Sequence, residues 1–92
     1  MQKVIAEKYL TLLGQRIRAA RQLQNLSQEE LADRAQIHAT YLSALECGKR
    51  NPSMAIFFSV AHALRIAPSE LLQWQEKGSA VEIKKQLRDG KR

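Results

Sequence analysis

The apolar residues of this chain recur at helical spacing, in short segments separated by polar turn signals. The first stripe follows the i, i+3, i+7, i+10 pattern of one helix face and consists of Leu10, Leu13, Ile17 and Ala20. We expect this first helix to run from Lys8 to about Gln24, after a leader of residues 1–7 that lacks periodicity. Gly14 inside the helix costs ~1 kcal/mol relative to Ala. Asn25 suits the left-handed conformation that ends a helix.

Ser27 and Glu30 mark the start of a second helix. A Ser three residues before a Glu forms a capping box, in which the hydroxyl accepts from the backbone N–H of Glu30 and the carboxylate accepts from that of Ser27. The apolar residues that follow share one helix face and are Leu31, Ala32 and Ala35. The pattern breaks at residues 36–38, which predicts a turn.

The third predicted helix has two contrasting faces. Its inward face carries apolar groups at Tyr41, Leu42 and Leu45. Its outward face has i, i+3, i+4, i+7 spacing and carries only small uncharged side chains, at Thr40, Ser43, Ala44 and Cys47. A face without bulky or acidic groups can enter the major groove of DNA. Gly48 is placed to end the helix in the left-handed conformation.

Two further helices complete the expected fold. Ser53 begins a fourth helix, whose apolar side comprises Met54, Phe57, Phe58, Val60, Ala61 and Leu64. Pro68 suits the first position of a fifth helix that turns Leu71 and Leu72 inward. Residues 75–92 carry a weak apolar stripe, at Ala80, Ile83 and Leu87. They are therefore either a short sixth helix or a basic tail, and we expect an all-α bundle of five helices before them.

The charge balance favours a polyanionic partner without identifying it. The 92 residues carry 15 Lys and Arg against 9 Asp and Glu, a net charge of +6, with a pI near 9.9. This balance attracts nucleic acids, acidic proteins and anionic membranes alike. Aromatic residues make up only 5% of the chain, so a base-stacking platform for single strands or RNA is not indicated.

The sequence offers little for catalysis or metal binding. A single Cys excludes an internal disulfide and a multi-thiolate zinc site. His38 and Cys47 would lie about 13 Å apart along one helix, and His62 belongs to another helix. We find no nucleophile–base pair, paired carboxylates or glycine-rich phosphate loop, and expect no enzymatic activity, cofactor or metal. No secretory or transmembrane segment is visible, which favours a cytoplasmic protein.

Four segments occur in an order that is more specific than any one of them: RIRAAR, LSQEELA, YLSALECGKRNPS and AHALRIAPSELL. In this order the chain resembles the Cro/phage-repressor (XRE-like) helix-turn-helix family, from about Leu13 to Leu72. The resemblance implies a lambda-repressor-like DNA-binding domain over residues 8–74, with the helix-turn-helix at about residues 27–48. Double-stranded DNA is the implied partner.

The resemblance assigns base contacts to the outward face of the third helix. The positions that carry them in the family are occupied here by Ala39, Thr40, Ser43 and Ala44. None of these is an Arg, Lys, Gln or Asn that could read a purine through two hydrogen bonds. We therefore expect modest direct readout that leans toward A·T pairs, supplemented by DNA shape or by the spacing of a dimer. His38 could contact a base edge or a phosphate, or be a partly exposed turn residue.

Phosphate contacts are expected from both sides of the third helix. The candidates are Arg16, Arg21, Gln28, Tyr41, Lys49, Arg50 and Asn51. In the family, a Gln at the position of Gln28 donates to a phosphate and braces the third helix. The resemblance also implies a partly buried ion pair between Arg21 and Glu46, with the guanidinium turned toward a phosphate. Arg16 either faces phosphate or is solvated.

The chain departs from the family at three positions. Gln36 stands where a small residue, often Gly, is common, so it must tolerate the turn. His38 stands where Ser or Thr is common and is a poor N-cap. Arg65 stands where Gly is preferred, so a positive φ is expected there.

We expect a transcriptional regulator, and a repressor in particular, that acts as a homodimer on a roughly palindromic operator with half-sites ~34 Å apart. The apolar residues expected to form the dimer interface are Leu71, Trp74, Ile83 and Leu87. Three alternatives stay open: an antitoxin that binds DNA and a toxin, a restriction–modification controller, and a protein-interaction adaptor with this fold. A protein partner would be a toxin or RNA polymerase.

Overall fold

The computed structural model describes residues 2–74, and every element in that range is helical. The elements in chain order are α1 (Gln2–Leu23), α2 (Gln28–Ala35), α3 (Ala39–Glu46), α4 (Met54–Ala63) and a 3-10 helix (Pro68–Leu72). The expected all-α class is confirmed for this part of the chain, but the fifth element is a 3-10 helix and not an α-helix. Its backbone hydrogen bonds join residues three apart, from the Glu70 N–H to the Ala67 carbonyl and from the Gln73 N–H to the Glu70 carbonyl, which is the 3-10 pattern. The predicted sixth helix lies outside the described residues.

The helices enclose one apolar core to which every element contributes. α2 packs against α3 and α4, while α1 packs against α3 and the 3-10 helix. The large side chains most completely removed from solvent are Ile17, Leu31, Leu42, Leu45, Val60, Leu64 and Leu71. Helices as short as α2 and α3 are marginal in isolation, so this shared core is what keeps them folded.

α1 begins at Gln2, which corrects the expected leader of residues 1–7 and the start at Lys8. The predicted stripe is the buried face of its later turns, where Leu13, Ile17 and Ala20 are buried. Residues 2–9 are exposed, including Val4 and Ile5. An apolar stripe arises where a helix has one side against a core. A stretch exposed all round carries no such stripe, and periodicity therefore missed it.

The capping box and the left-handed turns are present as expected. The Ser27 hydroxyl accepts from the Glu30 N–H at 3.0 Å, and the Glu30 carboxylate accepts from the Ser27 N–H at 2.8 Å. The hydrogen bond from the Ser27 backbone lowers the pKa of Glu30. Asn25, Gln36 and Arg65 have φ of 57°, 60° and 59°. Each of the three follows the end of a helix, where the left-handed conformation lets the chain reverse.

The apolar side of α4 is narrower than expected. Phe57, Val60 and Ala61 are buried, as is Leu64 just after the helix, and Ser53 caps it by accepting from the Ile56 N–H. In contrast, the predicted core residues Met54 and Phe58 are 61% and 49% exposed, and Leu72 in the 3-10 helix is 52% exposed. An α4 sequence that is apolar on most of its circumference does not show which side faces the core, and the neighbouring helices decide it.

Gly14 allows α1 to approach the end of α3 more closely than any other residue would. A Cβ at this position would lie 2.5 Å from the carbonyl oxygens of both Leu45 and Glu46. These are backbone atoms of α3, so the clash could be relieved only by separating the two helices. The glycine that lowers helix propensity in α1 is therefore required by the packing.

A buried ion pair joins the same two helices. The Arg21 Nε donates to Glu46 Oε2 at 2.7 Å, and its second terminal nitrogen donates to Oε1 at 3.0 Å. The remaining nitrogen donates to the Leu26 carbonyl at 2.8 Å. Gln28 adds a hydrogen bond to Glu46 Oε1 at 2.9 Å. The Glu46 carboxylate thus connects α1, α2 and α3, and its hydrogen bond raises the pKa of Arg21.

We expect Gly14→Ala to destabilise the protein by about 1–3 kcal/mol, because overpacking against backbone has no easy relief. Helix propensity alone predicts the opposite sign, a gain of ~1 kcal/mol. Urea unfolding measures the difference. The neighbouring exposed position supplies the control, since Gln15→Ala should change stability by less than about 0.5 kcal/mol. A Gly14→Ala protein as stable as the parent would contradict the close packing.

Glu46→Ala should lower the free energy of unfolding by about 3 kcal/mol, because it leaves the buried Arg21 guanidinium with only one of its acceptors. Chemical denaturation is again the measurement. Asp33→Ala removes an exposed carboxylate from α2 and should change stability by less than about 0.5 kcal/mol. Equal losses in the two variants would show that the ion pair has no special role.

Candidate nucleic-acid interface

α3 is held in place at its ends by backbone hydrogen bonds. His38 precedes it in an extended conformation and makes no side-chain cap, as its residue type predicts. At the other end the Gly48 N–H donates to the Leu45 carbonyl at 3.0 Å, and the Lys49 N–H donates to that of Ala44 at 2.9 Å. Gly48 has φ of 76°, so the loop after α3 leaves in a defined direction.

An open groove runs between the start of α2 and the outward face of α3. Its lining residues are Gln28, Glu29, Ala39, Thr40, Ser43, Ala44, Cys47 and Lys49. All four base-contact candidates on α3 therefore face the same groove, together with two of the phosphate candidates. Helical spacing predicted an outward face of small side chains on α3. The structure shows that the first turn of α2 forms the second wall of the groove.

The four base-contact candidates differ in exposure. Thr40 is exposed, whereas Ser43 and Ala44 are half-buried. Ala39 is half-buried against the core and has only a methyl group to offer. Thr40 is consequently the most accessible side chain for a base edge, and its methyl and hydroxyl groups suit a thymine methyl and a hydrogen-bonding edge respectively.

Glu29, in the first turn of α2, also lines the groove. A carboxylate can accept from the amino group of cytosine and is repelled by phosphate. Spacing within α2 does not reveal this position, because which residues of its first turn face α3 depends on how the two helices pack.

Arg21 has a structural role, and its contact with a DNA phosphate stays a prediction. Its three guanidinium nitrogens all donate to acceptors within the domain, and the residue is buried. The ion pair with Glu46 is present at 2.7 Å.

Arg16 also makes a contact inside the fold. Its Nε donates to the Glu70 carbonyl of the 3-10 helix at 3.0 Å, so it fastens that helix to α1. Arg16 is therefore not merely solvated, and its contact with a DNA phosphate stays a prediction. A bond between residues so distant in sequence leaves no local pattern by which it could have been predicted.

The remaining phosphate candidates lie beside the groove. Lys49, Arg50 and Asn51 are exposed in the loop between α3 and α4. Tyr41 is half-buried and packs against the core, and the Arg50 guanidinium carbon lies 5.9 Å from the centre of its ring. His38 is exposed before α3 but does not line the groove.

Two further features are absent from residues 2–74. No group of three His, Cys, Asp or Glu side chains is placed there to hold a metal ion. No helix in that range combines the length and the apolar character needed to cross a membrane.

Comparison with known proteins places the chain among transcription regulators. The control protein C.BamHI of Bacillus amyloliquefaciens is 36% identical over 74 residues, which cover 79% of this chain and 91% of that protein. The control protein C.SmaI of Serratia marcescens is 34% identical over 70% of this chain and 76% of its own length. The solved restriction–modification controller C.AhdI of Aeromonas hydrophila superposes with a TM-score of 0.67 at 40% identity, over 67% of this chain and 94% of that one.

The family model described as helix-turn-helix matches residues 17–71. That range includes the groove between α2 and α3 and the ion pair that positions α3. The chain therefore belongs to the XRE-type helix-turn-helix family.

Proposed function

We propose that this protein is a sequence-specific regulator of transcription that binds double-stranded DNA as a homodimer. The observation that carries the proposal is the groove between α2 and α3, which the base-contact candidates Thr40 and Ser43 line together with the phosphate candidates Gln28 and Lys49. Small, uncharged side chains make up the α3 side of this groove, and Glu29 is the one acidic residue in its lining. Small side chains on one helix and phosphate candidates beside them are the arrangement that a helix in the major groove requires.

The chemistry of the groove favours A·T-rich contacts. Thr40, Ala39 and Ala44 present methyl groups that can meet the methyl of thymine, and the hydroxyls of Thr40 and Ser43 can bond to several base edges. No side chain on α3 can form the paired hydrogen bonds that identify guanine. Part of the specificity would then come from the shape of the DNA and the spacing of the half-sites.

The phosphate contacts proposed for this protein are those of Gln28 and the loop of Lys49, Arg50 and Asn51. Gln28 lies in the first turn of α2, where free backbone N–H groups also favour an anion. One side of its amide donates to Glu46, which fixes its position at the rim. Contacts of this kind hold the protein in register and carry no sequence information themselves.

A homodimer accounts for the exposed apolar side chains on α4 and the 3-10 helix. Met54, Phe58 and Leu72 are large and exposed, and their two elements pack against each other. Leu71, which the sequence had assigned to the dimer, is fully buried in the core. Trp74 is half-buried, with its ring 6.1 Å from that of Tyr9. Ile83 and Leu87 lie outside the described residues.

A restriction–modification controller is the more specific candidate. The relatives C.BamHI and C.SmaI are control proteins, and the C.AhdI structure is that of a restriction–modification controller. The chain spans most of the length of each of them. Such a role would make RNA polymerase, and not a toxin, the protein partner to test. A methyltransferase gene beside this one would support this candidate.

Selection of bound sequences from a random duplex library, at two salt concentrations, tests the proposal. We expect a two-fold symmetric motif that survives the higher salt, with half-site centres ~34 Å apart or a multiple of that distance. Recovery of no motif, with binding lost as salt rises, would indicate non-specific charge attraction. An asymmetric motif would contradict the homodimer.

Thr40→Phe should reduce operator affinity to that for unrelated duplex, because a bulky ring at the most exposed position of α3 prevents close approach to the bases. The free energy of unfolding should stay within about 0.5 kcal/mol, since the site is on the surface. Gln22→Phe introduces the same ring at an exposed position of α1 outside the groove and should leave binding intact. Fluorescence anisotropy with a labelled operator measures both variants.

A further inference from the structure

We infer that Tyr41 is a positioning residue for Arg50, and that its ring holds the guanidinium where it binds a backbone phosphate beside the groove. The inference rests on the proposed function and deepens it. It differs from the sequence-based expectation, in which the Tyr41 hydroxyl itself reached a phosphate.

The Tyr41 ring, which packs against the core, lies close to the exposed side chain of Arg50. Tyr41 belongs to α3 and packs against the core, so its ring cannot turn away readily. The guanidinium carbon of Arg50 lies 5.9 Å from the ring centre, within the range of a cation–π contact. Among residues 2–74, Arg50 has no hydrogen bond or ion pair with another side chain.

The backbone around Arg50 is restrained on both sides. Before it, Gly48 and Lys49 donate to carbonyls of α3. After it, Pro52 restricts the conformation of Asn51, and the Ser53 hydroxyl caps α4. The backbone therefore brings Arg50 to Tyr41, and the ring then limits the freedom of its long side chain.

Stacking on the ring and binding a phosphate use different parts of the guanidinium. A guanidinium that stacks on an aromatic ring offers the ring its planar face, whereas its N–H groups point outward from the edge in the same plane. Both contacts can be made at once. An Arg held by its face has its paired donors ready for phosphate oxygens and loses less conformational freedom when DNA binds.

A double-mutant cycle on the selected operator tests the inference. Arg50→Ala should weaken binding roughly ten-fold and reduce the slope of log affinity against log salt by about 0.9, because one phosphate contact is lost. Tyr41→Leu should weaken binding about three-fold with the salt slope unchanged, since no charge is removed. Tyr41→Phe keeps the ring and should bind within two-fold of the parent.

The variant that combines Tyr41→Leu with Arg50→Ala distinguishes a positioning role of Tyr41 from a separate contact between Tyr41 and DNA. With Ala at position 50, Tyr41→Leu should have no further effect beyond about two-fold. A full three-fold loss there would overturn the inference, because Tyr41 would then act without Arg50. Tyr41→Phe binding as weakly as Tyr41→Leu would also overturn it, and would assign the contact to the hydroxyl. Unfolding measurements on each variant identify any loss that comes from the fold.

A further test measures proton chemical shifts by NMR on the unmodified protein, without DNA and without any substitution. The side-chain proton resonances of Arg50 should be shifted upfield by the Tyr41 ring, relative to those of Arg18, which is exposed on α1. Identical shifts for the two would overturn the inference whatever the DNA result. A shifted Arg50 in a protein that selects no DNA motif would instead show that the proposed function is wrong.

Discussion

The Glu46 carboxylate determines where α3 lies, and the rest of the site depends on that placement. It accepts hydrogen bonds from Arg21 on α1 and Gln28 on α2, so one acceptor relates three helices. Because it is buried, a broken contact could not be replaced by water without a large loss of stability. Gly14 sets the complementary limit, since it permits the backbone of α1 to meet the last turn of α3. The ion pair and the close backbone contact thus both act on the C-terminal end of α3.

Local signals in the sequence predicted the local features of the fold well. The capping box at Ser27 needs only residues three apart. The positive φ of Arg65 was expected instead from the resemblance, since the family prefers Gly at that position. The first turns of α1 could not be predicted in this way, because residues exposed on all sides carry no apolar stripe. The exposure of Phe58 was missed for the opposite reason, since α4 is apolar on most of its surface and only its neighbours select the buried side.

In the candidate site, too, local signals predicted some features, while others depend on neighbouring helices. Helical spacing alone brought Thr40 and Ser43 to one face, and the structure agrees. The ion pair of Arg21 with Glu46 came from resemblance, because nothing local connects the two. Three other features depend on how separate elements pack together: the hydrogen bond from Arg21 to the Leu26 carbonyl, the one from Arg16 to the Glu70 carbonyl, and the position of Glu29 in the groove. Such contacts become visible only after the helices are packed.

The two faces of α3 meet different requirements, since one packs in the core and the other lines the groove. Leu42 and Leu45 are fully buried on one side, while the groove side holds only small groups that few other parts of the protein contact. Under the proposed function, substitutions at Thr40 or Ser43 would alter which operator is preferred while the scaffold persists unchanged. DNA preference and stability would then be set by different residues of one helix, so that each could change without the other.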